Sequence, residues 1–173
     1  ERTGRLIRID RPVDPYLEAG AIQRRVFRAG GPALLFSRVK GSDFPMAANI
    51  FGTLERTKYI FRSTLRRVEA LFAAKADPVD ILKRPRLWPE LALAGWHTLP
   101  KVVHDGPSMA RQTTISRLPQ LVSWPGDGGA YVTLPLVYTE SPARPGFMGS
   151  NLGMYRVQLS GNEYLPDREV GLH

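Results

Sequence analysis

The 173-residue sequence contains no cysteine. Disulfide frameworks, thiolate metal sites and thiol catalysis are therefore excluded. It has three histidines, His97, His104 and His173, and no two show local metal-ligand spacing. No apolar run approaches the roughly 18–20 residues that a membrane-spanning helix needs, so no integral membrane segment is expected. There is no P-loop, no GxGxxG after a strand, no HExxH and no GxSxG. Nucleotide cradles and hydrolase triads thus have no support. An initiator Met is also missing. The opening Glu1-Arg2-Thr3-Gly4-Arg5 is not a secretory signal and reads as a start inside a longer chain. A cytoplasmic location fits these absences.

What is present is a globular composition, 43% hydrophobic and 23% charged. Sixteen glycines and fifteen prolines point to short elements and many loops. The mass of 19.3 kDa suits one domain or two small ones. The net charge of +8 is unevenly spread: 18 of the 24 Lys and Arg lie within residues 1–87. Many fall on predicted helices, as in Arg24-Arg25-Val26-Phe27-Arg28, where they read as a solvated face. No zinc-finger spacing or aromatic RNA-binding signature accompanies them, so nucleic acid is not an expected partner.

The pattern predicts a strand over 6–9, ended by Asp10-Arg11-Pro12. A helix is expected from an Asp14 N-cap with Pro15 at its first position, running through Arg28 to Gly30-Gly31-Pro32. Strands follow at 34–36 and 45–52. A helical stripe runs over 54–74, with Ser63 capping its second part. Prolines in Asp77-Pro78, Arg84-Pro85, Trp88-Pro89 and Leu99-Pro100 then mark short helical turns and a linker. Residues 131–138 and 153–159 are β-like, joined by a Gly/Pro-rich connection over 141–150. The fold class is thus α+β. It divides into an N-terminal α/β domain with linker over 1–107 and a β-rich domain starting at 108 and running to 173.

Four stretches in order carry a family likeness. They are Val13-Asp14-Pro15-Tyr16-Leu17-Glu18, Ala29-Gly30-Gly31-Pro32-Ala33-Leu34-Leu35-Phe36, the run from Leu118 to Gly129 that contains Ser123-Trp124-Pro125-Gly126-Asp127, and Asn151-Leu152-Gly153-Met154-Tyr155-Arg156-Val157-Gln158-Leu159. In this order they resemble the N-terminal portion of the UbiD family, the 3-polyprenyl-4-hydroxybenzoate decarboxylase-like enzymes. The resemblance covers nearly the whole chain.

The resemblance implies a carboxy-lyase that uses prenylated FMN with Mn²⁺ or Mg²⁺ and a K⁺. Its reaction is non-oxidative decarboxylation of an aromatic or α,β-unsaturated carboxylic acid, in ubiquinone or related quinone synthesis. A flavin prenyltransferase would supply the cofactor, and the full-length protein would form a homo-oligomer. Residues 108–173 would begin a split β-barrel like that of flavin reductases. By position, Arg156 matches the arginine of the catalytic Glu-Arg-Glu network. A guanidinium suits planar, bidentate contact with a carboxylate. Asn151 matches the metal-ligating asparagine, a hard neutral oxygen donor. Thr133 matches a flavin-contacting threonine, and Leu152, Gly153 and Met154 would lie against the flavin, as would Arg156. His173, 22 residues past Asn151, falls near the family's metal histidine. The partner glutamates would come from sequence beyond residue 173, so these residues alone are expected not to turn over.

Asn151 and Arg156 are five apart and would face opposite ways on one regular strand. Asn151 therefore belongs to the loop before the strand, or a bulge resets the phase. Two other readings remain beside the decarboxylase: a flavin-binding reductase-like module, and a basic nucleic-acid-binding or assembly module.

Overall fold

The computed structural model describes residues 2–99, 101 and 103–173. Glu1 and the Pro100 of the Leu99-Pro100 marker lie outside the described residues. The chain forms two compact units: 1–53 together with 107–173, and 54–106.

The first unit opens with a β-α-β arrangement. Strand β1 (Leu6–Ile9) pairs in parallel with β2 (Ala33–Phe36), and helix α1 (Glu18–Arg28) makes the crossover. Strand β3 (Met46–Ala48) adds antiparallel to β2. Val13, Ala19, Leu34, Phe36 and Val39 form the buried core. Ile22 and Val26 pack on it, three and seven residues after Ala19, the spacing of one helix face.

The helix starts later than Asp14-Pro15 predicts. Leu17 donates its amide to the Val122 carbonyl (2.8 Å), and Val122 donates to Pro15 (3.1 Å). This pairing pulls residues 15–17 away from helical geometry, and Leu17 takes a φ of 63°. Asp14 instead accepts the Tyr16 amide on its side chain at 2.9 Å. The same strand-like pairing explains why 1–53 joins 107–173 in one unit. Leu121 packs on the first core, and Arg24 donates to the Ser123 carbonyl at 2.7 Å.

The rest of this unit is β-rich. Strand β4 (Tyr131–Val132) pairs with β7 (Val157–Gln158), which pairs with β8 (Gly171–Leu172). Strand β5 (Leu136–Glu140) pairs with β6 (Ser150–Met154). The sequence pattern foresees the two β regions but not β8. Among the described residues the strands form three small sheets and no closed barrel.

The second unit is helical: α2 (Leu54–Ile60), α3 (Leu65–Ala76), α4 (Pro78–Leu82) and α5 (Trp88–His97). The expected 54–74 helix is broken over 61–64. Thr64, rather than Ser63, precedes α3, and no side chain caps it. Arg67 of α3 lies 3.8 Å from Glu90 of α5, and the Trp88 indole donates to the Ile81 carbonyl at 3.1 Å. Among the described residues no helix is long and apolar enough to cross a membrane.

Candidate active site

Strands β4 and β5 are two parts of one path, as are β6 and β7. Tyr131 faces Gln158 and Val132 faces Val157, whereas Leu136 faces Met154. Residues 133–135 thus oppose only Tyr155 and Arg156, so the first path carries one extra residue, a β-bulge. Of the two arrangements the parity of Asn151 and Arg156 allowed, Asn151 in a preceding loop is not found. It sits inside β6, opposite Thr139. The bulge exists, but on the partner path, and Thr133 lies in it. The phase changes where β6 ends at Met154 and β7 begins at Val157.

Arg156 emerges at that break, and three contacts hold it. Its guanidinium lies over the Tyr131 ring, 3.9 Å from the centroid. Its Nη2 is 3.5 Å from Asp127 Oδ1. Its backbone exchanges two hydrogen bonds with His173, each 2.9 Å. Asp127 is itself fixed: its other oxygen accepts the amides of Ser123 and Trp124, both at 3.2 Å. This closes the Trp-Pro-Gly-Asp turn and aims the free carboxylate oxygen at Arg156. The cation therefore has one aromatic face covered and one loose acidic partner. Its in-plane N–H groups suit a planar anion.

Beneath it lies a polar knot around Gln158, which is 1% exposed. Its amide nitrogen donates to the Gly128 carbonyl at 3.1 Å. Its oxygen is approached by His173 Nε2 (2.9 Å), Asn162 Nδ2 (3.3 Å) and the Tyr164 hydroxyl (3.4 Å). With that amide orientation His173 must carry its proton on Nε2. Only Nδ1 of His173 is left as a metal donor. The His173 ring also meets Tyr131 edge-on, with centroids 6.1 Å apart.

Asn151 occupies a second local arrangement. Its amide nitrogen donates to the Tyr155 hydroxyl at 3.1 Å, which leaves the amide oxygen as the exposed donor. The Tyr155 ring lies across Gly153, where a Cβ would stand 2.7 Å from the ring. Gly153 is thus required for the ring to reach Asn151. Leu152 and Met154 are well exposed. Their cross-strand partners are Tyr138 and Leu136, so these four share one apolar ribbon face.

The structure brings Arg156 and His173 together and sets Asn151 on Tyr155. Sequence reasoning singled out neither Asp127, Tyr131, Tyr155 nor Gln158, although all but Tyr131 lie inside the quoted motifs. Among the described residues no three of His, Cys, Asp and Glu gather as a metal-binding group. A metal held here would take Asn151 Oδ1 and further ligands from elsewhere.

The fold is a mixed α and β arrangement of small sheets that carries an arginine-centred site on a bulged strand pair. Known proteins share this sequence and fold. The 3-octaprenyl-4-hydroxybenzoate carboxy-lyase N-terminal domain matches residues 1–75. The Rift-related domain of the same carboxy-lyase matches residues 100–173. A 4-hydroxybenzoate decarboxylase component of Chlamydia pneumoniae is 41% identical over 157 residues, covering 88% of this chain and 26% of that protein. A protein of Chlamydia trachomatis serovar D is 39% identical over 178 residues, covering 97% of this chain and 28% of the relative. Among solved structures, the UbiD-class enzyme HmfF of Pelotomaculum thermopropionicum in complex with FMN superposes with a TM-score of 0.67 at 24% identity. That match covers 100% of this chain and 34% of HmfF. The vanillic acid decarboxylase of Sedimentibacter hydroxybenzoicus gives 0.65 at 19% identity, covering 99% and 35%. The chain belongs to the UbiD family, and it spans 26–28% of the length of these two curated relatives.

Proposed function

We propose that the full-length protein is a prenylated-FMN-dependent carboxy-lyase that removes CO₂ from an aromatic or α,β-unsaturated acid without net oxidation. The observation that carries this reading is Arg156. It stacks on Tyr131 and is met only loosely by Asp127, on the strand pair that matches the family's Rift-related domain. One related solved structure, an evolved dimeric form of HmfF, holds prFMN.

Arg156 receives the substrate carboxylate. Tyr131 covers one face of the guanidinium and keeps its plane fixed, so the edge N–H groups present a bidentate fork. The Asp127 contact at 3.5 Å is long for a charged hydrogen bond and yields to a better-placed carboxylate. Prenylated FMN, when bound, supplies the electron sink for the carbon that loses CO₂. The residues present fit such a group in two respects. Asn151 offers an outward amide oxygen to Mn²⁺ or Mg²⁺, the hard donor these cations prefer. Thr133 and the backbone of Leu152, Gly153 and Met154 line the bulge and ribbon where a flavin would lie. His173 joins the metal only through Nδ1. A K⁺ would complete the expected ion set.

In this reading residues 1–107 are the N-terminal α/β domain with its linker. Residues 108–173 begin a split β-barrel whose remaining strands and glutamic acids come from elsewhere in the full-length protein. These 173 residues alone are then inactive. The full-length enzyme works in the cytoplasm as a homo-oligomer, receives its cofactor from a flavin prenyltransferase, and serves ubiquinone or related quinone synthesis.

The test is CO₂ release by the full-length protein reconstituted with prenylated FMN and Mn²⁺, over a panel of benzoic and cinnamic acids. Release that requires the prenylated cofactor supports the reading. Nicotinamide-driven flavin reduction without CO₂ release replaces it with a reductase-like module.

A further inference from the structure

A cavity of about 340 Å³ opens in the first unit. Its wall is mainly apolar and aromatic, with Phe27, Phe36 and Trp124 among the lining residues, and Gln23, Arg24 and Thr133 supply polar groups. The volume lies at the lower end of the ~300–1,000 Å³ typical of small-molecule sites. Arg156, Asn151 and His173 do not line it.

Arg24 is the feature that needs an explanation. It is partly buried on α1, and its Nη1 donates to the Ser123 carbonyl at 2.7 Å. Its guanidinium lies over Trp124, 4.1 Å from the ring centroid. Those contacts fix the plane of the cation. They do not neutralise it: among the described residues no carboxylate pairs with Arg24. A partly desolvated cation without a counter-charge favours an anion from solution. Its remaining N–H groups are in-plane donors, the geometry that a carboxylate satisfies in bidentate fashion. Phe27 and Trp124, both about half exposed, offer aromatic surface for the body of the same ligand. Gly20 keeps this wall close, since a Cβ there would stand 3.0 Å from Ser123 Cα.

We propose that this cavity binds a small planar aromatic monocarboxylate, with Arg24 as the carboxylate clamp and Trp124 as the stacking wall. It is a second anion site, clamped by Arg24 rather than Arg156; its wall shares Thr133 with the bulge, and its carboxylate contact does not depend on the decarboxylase reading.

Benzoate and its neutral isostere benzamide are the probes, titrated into apo full-length protein. The readout is the fluorescence of Trp124, assigned by its loss in Trp124→Phe. The expected result is a saturable benzoate response with benzamide about tenfold weaker or worse, as loss of a charge-assisted contact implies. Arg24→Gln should weaken benzoate by a similar factor and leave benzamide unchanged, and Arg24→Lys should recover part of the loss. Arg156→Gln should leave the benzoate-to-benzamide ratio as it is. Should Arg24→Gln unfold, the benzoate-to-benzamide ratio in the unsubstituted protein decides alone. Equal affinity for the two probes, no Trp124 response to benzoate, or loss with Arg156→Gln but not with Arg24→Gln overturns the proposal.

Discussion

Arg156 and His173 exchange both of their backbone hydrogen bonds, each 2.9 Å long. The candidate substrate-binding arginine is therefore one member of a closed antiparallel pair at the end of the β7–β8 ladder. Its backbone position depends on the strand that carries His173. The site is built from sequence-distant pieces: the Asp127 turn, the Tyr131 strand, the break at Arg156 and the return strand at 171–173.

Gln158 is where these pieces meet, so its loss should be felt throughout. Gln158→Ala removes the donor to Gly128 and the acceptor for His173, Asn162 and Tyr164, and opens a buried gap. Unsatisfied buried partners and a cavity together predict a loss of about 2–4 kcal/mol. Urea denaturation measures it. A change within about 0.5 kcal/mol, the ordinary range for surface substitutions, would contradict the buried-hub role.

Two glycines hold the Asp127 turn against the following loop. A Cβ on Gly161 would stand 1.7 Å from the Gly128 carbonyl oxygen, and Gly161 has a φ of 85°. Gly161→Ala adds both a backbone clash and left-handed strain. The expected cost is about 2–4 kcal/mol, read as a lowered urea midpoint. An unchanged midpoint would mean that these segments are not in backbone contact.

Tyr155 is predicted to position Asn151 rather than touch metal itself. Tyr155→Phe keeps the ring over Gly153 but deletes the hydroxyl that accepts the Asn151 amide. Mn²⁺ affinity of the flavin-loaded full-length protein should fall by about tenfold or more, as for other ligand-orienting groups. Asn151→Ala should fall further. Equal affinity for Tyr155→Phe and the unsubstituted protein rules the positioning role out.

The β5–β6 hairpin carries a pH signature. Tyr138 donates to Glu140 Oε1 at 2.7 Å, and the Gly146 amide donates to Oε2 at 3.0 Å. The Tyr138 bond, and then the Gly146 bond, hold the Glu140 carboxyl below its ordinary value of 4.5. A lowered folded value means that the stabilisation is full above the ordinary range and is lost as pH falls through the folded value. Tyr138 is shifted the other way, above 10.0, chiefly by its bond to Glu140. Its share is full below 10 and lost as pH rises through the raised value. Gly146 amide protection should therefore drop in acid below pH 4.5, and Glu140→Gln should remove that step. No acid-side change would show that the bonds do not persist in solution.

Much of the fold is legible in the sequence. β1, β2 and the end of α1 lie where periodicity and Gly30-Gly31-Pro32 put them, because local signals and burial agree there. Asp14-Pro15 misleads as a helix start because Val122, over a hundred residues away, pairs with residues 15–17. No local pattern encodes that pairing. β8 is missed because two residues on an exposed return strand carry no alternation. In the site, family motifs single out Arg156 and Asn151, while Asp127 and Tyr131 become visible only once distant strands meet. The parity of Asn151 and Arg156 did foretell an irregularity. It could not say which strand would bear it.

Whether Arg156 binds the substrate carboxylate is decided by comparing Arg156→Ala with the unsubstituted full-length protein, both loaded with prenylated FMN. The flavin absorption spectrum and CO₂ release are recorded on the same samples. The expected result is an unchanged spectrum with turnover reduced by at least about 10²–10³-fold, the scale for losing a positioned electrostatic contact. Retained turnover, or loss of the flavin spectrum along with activity, would contradict Arg156 as the group that binds the substrate carboxylate.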